Sequence, residues 1–319
     1  MKSRVQKFSI TTVCIAILAF GVQARAWAST EDFDRIFFFG DSLSDAGNIY
    51  ASTGQSARAP YEIIPSAPYR IGGFQFSNGK TWAQRFAQSM QSNRSGKASL
   101  DAPGTNGNYA FGGARARSGS GSLAPTGQDQ LNLYLADFNG AADPEALYVV
   151  QLGGNDVRDA LELLASGDQL AAQQAIESAV AAEAGLVMQL HDIGARHFLI
   201  VNVPDIGLSP AIRLAGPGAA FYATMLASSY NAGLDTAVDG LQGLPEISID
   251  RLNLFSILSG IAAAPADYGI TDTESSCLVF YVKSGAKCSQ PETYLFWDGI
   301  HPTARIHKIV GEAAESIYR

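Results

Sequence analysis

Three short apolar runs, each stopped by a turn-forming residue, frame the chain. Arg35-Ile36-Phe37-Phe38-Phe39 ends at Gly40, Ala146 to Leu152 ends at Gly153-Gly154, and Phe198 to Val203 ends at Pro204. Runs of this kind, without polar alternation, predict parallel strands covered on both faces. Residues 247–254 alternate weakly and predict a fourth strand. Helical stretches lie at 81–90, 128–138, 169–193 and 218–239, with a last one near 303–318; the third is rich in Ala, Glu, Gln and Leu, all strong helix formers. Buried strands alternating with helices imply a parallel sheet with helices on both faces. Ligands then sit beyond the carboxyl ends of the strands. That points to Gly40-Asp41-Ser42-Leu43 and Gly153-Gly154-Asn155-Asp156. Two stretches break the alternation: 51–76, with Pro60, Pro65, Pro68 and several aromatic residues, and 92–124, rich in Gly, Ser and Asn. Both read as long loops, which in compact domains are commonly functional.

The N-terminus changes the compartment expected for this sheet. Lys2, Arg4 and Lys7 precede an apolar run from Phe8 to Gly21, followed by Ala24-Arg25-Ala26 and Ala26-Trp27-Ala28. This order predicts a secretory signal peptide, cut near Ala26 or Ala28, and export to a periplasm or the medium. Cys14 lies inside the apolar run, which argues against a lipid anchor. Residues 1–28 are therefore set apart, leaving 29–319 as one large α/β domain. The net charge of −8 becomes −12 without the leader, with 18 basic residues against 30 acidic. So acidic a protein disfavours nucleic acid as a partner. No second apolar stretch reaches about 18 residues, so any membrane contact is expected to be peripheral. Cys277 and Cys288 remain; an even count in an exported chain predicts a disulfide. It would close a 12-residue loop, a stabilisation of about 3 kcal/mol on the chain-entropy account. A metal site on these cysteines is not expected, since no histidine stands at ligand spacing.

Candidate chemistry lies at two places. In Trp297-Asp298-Gly299-Ile300-His301-Pro302, an acid three residues before a histidine can hold one ring nitrogen and leave the other to accept a proton. An ordinary turn with a surface histidine is the bland alternative; Trp297 and Pro302 favour a rigid turn. Ser42, after a buried strand and Gly40, can stand at a strand end with its N–H free as an oxyanion donor.

These residues carry a family resemblance. Gly40-Asp41-Ser42-Leu43-Ser44-Asp45-Ala46-Gly47-Asn48 resembles the first signature block of the GDSL lipases. Asn108-Tyr109-Ala110-Phe111-Gly112-Gly113-Ala114 resembles the second, Gly153-Gly154-Asn155-Asp156 the third and Asp298-Gly299-Ile300-His301-Pro302 the last. Phe76 to Trp82 is similar to a segment that secreted members share, and the blocks fall in the family's order between residues 36 and 303. The resemblance to SGNH/GDSL hydrolases implies a flavodoxin-like three-layer α/β/α sandwich with a central parallel sheet. It implies Ser42 as nucleophile, His301 as its base and Asp298 as the orienting acid. The oxyanion hole would be the Ser42 N–H, a second-block glycine and the Asn155 side chain; counting five on from Asn108 gives Gly113, with Gly112 as the alternative. No metal or organic cofactor is implied.

For substrate, the resemblance is to secreted bacterial lipolytic members, partly through Ala266-Asp267-Tyr268-Gly269-Ile270. These act on lysophospholipids, phospholipids or acylglycerols, and some pass the acyl group to a sterol. Residues 60–76 could wall an acyl site. A carbohydrate acetyl esterase is the rival enzyme, and an inactive adhesin on the same fold the rival outside catalysis. Gly79-Lys80-Thr81 is not a phosphate loop, because its upstream glycine, Gly73, is one residue too far. Asp41, Asp45 and Asp156 read as turn caps rather than metal ligands. His191 and His197 are expected at the surface or a boundary, and His307 solvated. No G-x-S-x-G elbow occurs.

Overall fold

The computed structural model describes residues 33–53, 74–119, 124–278 and 287–319. The signal-peptide expectation, the proline-rich segment 54–73 and the loop tip 279–286 lie outside these residues. The three apolar runs and the weakly alternating stretch form the strands expected: β1 (Ile36–Gly40), β2 (Leu147–Gln151), β3 (His197–Val201) and β4 (Ser248–Leu252). They pair in parallel in the order β1-β2-β3-β4.

Alternate residues of each strand face opposite sides, and each side has its own core. Phe37, Phe39, Tyr148, Val150, Phe198 and Ile200 face one. It is covered by α3 (Gly127–Asp137), α4 (Gly154–Ala165), α5 (Gln169–Asp192) and α7 (Pro217–Leu241). Ile36, Phe38, Leu147, Val149, Leu199 and Val201 face the other. There α2 (Trp82–Ser89), α8 (Leu254–Ala263) and α9 (Ala304–Glu315) close the sandwich. Two short helices, α1 (Asn48–Thr53) and α6 (Pro210–Leu214), complete the helical set among the described residues. Local signals set several helix starts. Thr81 with Gln84 and Thr126 with Asp129 form capping boxes, and Pro217 opens α7.

The outer edge of β1 is not left bare. Residues 107–111 run alongside it, with Phe38 N–H donating to Gly107 O and Tyr109 and Phe111 donating to Phe38 O and Gly40 O, at 2.8–3.1 Å. Counted with this segment, the strands take the spatial order 2-1-3-4-5 of a flavodoxin-like sheet. Its order reverses at β1 and the strand beside it, β2, which is where such sheets bind ligands. Gly40 pairs with Gln151 there, so the turns bearing Ser42 and Asn155 leave from adjacent strand ends. A second, two-stranded parallel sheet, β5 (Asp272–Ser276) with β6 (Tyr294–Phe296), was not expected from the sequence.

Candidate active site

Ser42 follows β1 by two residues and Asp298 follows β6 by two, so each sits at the end of a strand whose position the sheet fixes. The 297–301 turn is closed by Trp297 N–H donating to His301 O at 2.8 Å. Inside it, Asp298 Oδ1 accepts the N–H groups of Ile300 and His301 at 2.9 and 2.8 Å. That leaves Oδ2 to face the imidazole: it is 2.7 Å from His301 Nδ1, and His301 Nε2 is 2.8 Å from Ser42 Oγ. Asp298 is fully buried and Ser42 9% exposed, so the acid is shielded while the hydroxyl reaches the cleft. With Nδ1–H on the carboxylate, Nε2 is the acceptor nitrogen, and a hydroxyl so placed can release its proton as its oxygen attacks.

A buried polar lattice fixes this serine turn. Gln130, in the middle of α3, accepts from Gly40 N and donates to Gly40 O at 2.8 and 2.9 Å. Trp82 Nε1 donates to Ser44 Oγ at 3.1 Å, Ser44 donates to Gln151 at 2.8 Å, and Gln151 donates to Asp41 Oδ1 at 3.1 Å. Asn48 donates to Asn108 O and Ala110 O, and Asn108 donates back to Ser44 O. Burial raises the Asp41 carboxyl above its usual range. Asp45 accepts from Gly47, Asn48, Ile49 and Gly112 N–H, and burial still pushes it to about 6.

Those bonds separate the two candidate glycines. Gly112 N–H is committed to Asp45 at 2.8 Å. Among the described residues, no acceptor is bonded to the N–H of Ser42 or Gly113. Gly113 takes φ +81°, the left-handed region that suits glycine. Asn155, in the first turn of α4, donates one Nδ2 hydrogen to Ala114 O at 2.9 Å, leaving the second unspent. Ser42, Asn155 and His301 line one cleft; Gly113 is not part of that lining and is tied to it through Ala114. Arg115 and Arg117 both bind Asp159 on α4, at 2.7 and 2.8 Å, and Arg117 also approaches Asp156. Asp156, pushed to about 6 by burial, accepts Ala116 N–H at 2.8 Å.

The segment at the end of the first long stretch, 51–76, straps down the histidine. Ser77 Oγ donates to Pro302 O at 3.0 Å, and Ala304 N–H donates to Asn78 at 2.7 Å. The Phe76 ring lies 5.1 Å from the His301 ring. His307 departs from expectation. It is buried, with Nδ1 accepting from Trp82 N–H at 3.1 Å, because α9 turns that face onto α2. Cys277 and Cys288 form a disulfide. Cys277 and Leu278 N–H donate to Phe296 O and Trp297 O, which sets the bridge against the strand that leads to Asp298.

Beneath the third block, Gly153 takes φ +93°, and a Cβ there would meet the Tyr230 ring at 2.3 Å, so only glycine fits. Tyr230 hydrogen-bonds Glu183, a fully buried carboxyl pushed up to about 8, mainly by desolvation. The motifs did not expose Gln130, Gln151 or Glu183, and Ser44 stood in the first block with no role assigned. For Gln151 there was a signal, a polar residue inside an otherwise apolar strand.

A family model described as GDSL-like Lipase/Acylhydrolase matches residues 36–314. GDSL esterase/lipase 5 of Arabidopsis thaliana is 24% identical over 84% of this chain and 78% of its own. Lipase 1 of Photorhabdus luminescens is 25% identical over 92% of this chain, which spans 51% of that protein. The anther-specific proline-rich protein APG of Arabidopsis thaliana is 26% identical over 87% of this chain and 60% of its own.

Proposed function

The chain belongs to the GDSL-like lipase/acylhydrolase family, and we propose that it is an exported hydrolase that cleaves carboxylic esters through an acyl-enzyme on Ser42. In the first step Ser42 Oγ attacks the ester carbonyl carbon while its proton passes to His301 Nε2, and Asp298 stabilises the imidazolium. The carbonyl π electrons move onto oxygen, where the Ser42 and Gly113 N–H groups and the Asn155 amide receive them. Collapse breaks the bond to the leaving alcohol, which takes the proton from His301. Water repeats the sequence on the acyl-enzyme and releases the acid and Ser42.

The observation that carries this reading is the continuous Asp298–His301–Ser42 contact, 2.7 and 2.8 Å, at a strand end. A lipid ester is the substrate proposed. Supporting it are the apolar cleft residues Leu43, Ile206, Leu258 and Phe296. Peripheral lipid contact is assigned to exposed Leu214, Phe221, Tyr222 and Met225, on α6 and α7 just beyond the Ile206–Ser209 wall. The proposed leader, residues 1–28, would deliver a single hydrolase domain, 29–319.

The test is Ser42→Ala. Ester turnover and covalent labelling by a fluorophosphonate should both vanish while the unfolding transition stays close to wild type, because a single hydroxyl at the cleft wall contributes little packing. Turnover above a few per cent of wild type, or labelling elsewhere, overturns the mechanism.

A further inference from the structure

Arg158 opens the second turn of α4, three residues past Asn155, and its half-buried side chain lines the cleft that holds Ser42 and His301. Other arginines around this helix are compensated: Arg115 and Arg117 are paired with Asp159 and Asp156. Arg158 is not. Among the described residues no carboxylate comes within ion-pair distance of its guanidinium. Its single polar contact among the described residues is a 3.3 Å bond from Nη1 to Asn155 Oδ1.

A guanidinium has five N–H donors in a planar fork, and four here have no acceptor among the described residues. Of the acids sharing the cleft, Asp41 feels the Arg158 charge without pairing with it, its Oδ1 accepting Leu43 N–H and Gln151; Asp205 Oδ1 accepts Gly207 N–H and Thr224. A cationic side chain without an ion pair, with unspent donors facing a cleft of largely apolar walls, is accounted for by a ligand rather than by the fold.

We propose that Arg158 is an anion subsite, receiving a phosphate or carboxylate carried by the substrate beside the ester being cut. The inference rests on the ester-hydrolase reading and narrows its substrates to anionic esters, of which acylglycerol phosphates are the lipid form. The guanidinium fork matches such groups in a bidentate manner. Its remaining bond to Asn155 Oδ1 ties the occupied subsite to the amide proposed as oxyanion donor.

Binding is measured by calorimetry on the Ser42→Ala protein, which cannot turn substrate over. The ligands are a short alkyl ether of glycerol, the same ether carrying a 3-phosphate, and inorganic phosphate. The ether phosphate should bind about tenfold tighter than the neutral ether, as expected for one charge-assisted hydrogen-bonded pair. Adding Arg158→Gln should abolish that ratio, and Arg158→Lys should keep part of it. In the protein with Ser42 intact, the same substitutions should shift the ratio of kcat/KM between an acylglycerol phosphate and its neutral acylglycerol. Equal affinity for the two ethers, or a ratio untouched by Arg158→Gln, overturns the subsite. So does inorganic phosphate competing as well as the ether phosphate, which marks a free-anion site. Equal loss on charged and neutral esters would leave Arg158 as a support for Asn155 only. Because binding is read without turnover, these failures leave the hydrolase reading standing. That reading falls separately, if the protein with Ser42 intact cleaves no ester.

Discussion

At the scale of single residues, the site depends on which N–H groups are spent and which are free. Asn155 gives one amide hydrogen to Ala114 O and keeps the other. Removing the free donor acts on the transition state, where negative charge develops, more than on bound ester. Asn155→Ala should therefore lower kcat about 10²–10³-fold with little change in KM. A loss carried wholly in KM, in steady-state assays on one ester, would make Asn155 a binding residue instead. The same accounting separates Gly113 from Gly112, whose N–H is committed to Asp45. Counting from Asn108 gave Gly113 but left Gly112 open, because the distinction depends on where a carboxylate in the first block points.

Among elements, α2 and α9 show a tie between distant parts of the chain. The Trp82 N–H, an orphan donor of the α2 first turn, is accepted by the His307 ring on α9. Burial, with His301 and Arg85 nearby, lowers His307 to about 3, so it is neutral in the folded protein. The unfolded chain takes up a proton near the ordinary histidine value of 6.5. Stability from this group is thus complete above that value and is lost as pH falls toward about 3. His307→Asn does not titrate, so urea unfolding at about pH 7 and pH 4.5 should show a smaller acid loss for the variant than for wild type. A larger loss in the variant would contradict the assignment. The sequence showed the helix but not its buried histidine. A lone polar residue in an amphipathic pattern reads as solvent-facing unless its partner element is known. Strands β1 to β3 were legible because apolar runs are their own signal, and β4 only through a weak alternation. Helix α4 was hidden because it begins inside the glycine-rich third block, and β5 because Asp272–Ser276 is polar and only partly buried. The candidate site was legible for the opposite reason: its residues sit in short glycine-marked turns with little freedom to vary.

For the whole molecule, buried carboxyls shape the pH response. Asp41, Asp45, Asp156 and Glu183 are all raised by desolvation, Asp45 and Asp156 to about 6 and Glu183 to about 8. A carboxyl raised on folding contributes stability that is full below its unfolded value and is lost as pH rises through the folded one. For Glu183 that window runs from 4.5 to about 8, with Tyr230 against it and Asp156 and Asp41 adding repulsion. Glu183→Gln keeps an acceptor for Tyr230 and removes the titration. Its melting temperature should gain on wild type steadily between about pH 5 and pH 9. Parallel melting curves across that range would show that Glu183 does not titrate there.

The hydroxyl and the ring that face one another across 2.8 Å are 259 residues apart in the chain. Synthesis runs from Ser42 toward His301, so an unfinished polypeptide carries a serine with no base beside it. Under the proposed roles, no fragment released by premature termination before residue 301 can become acylated, however well its first strands have collapsed. Chemical competence therefore arrives at a late moment in the making of the polypeptide, and a reagent that marks Ser42 also reports that the chain was read through to its far turn.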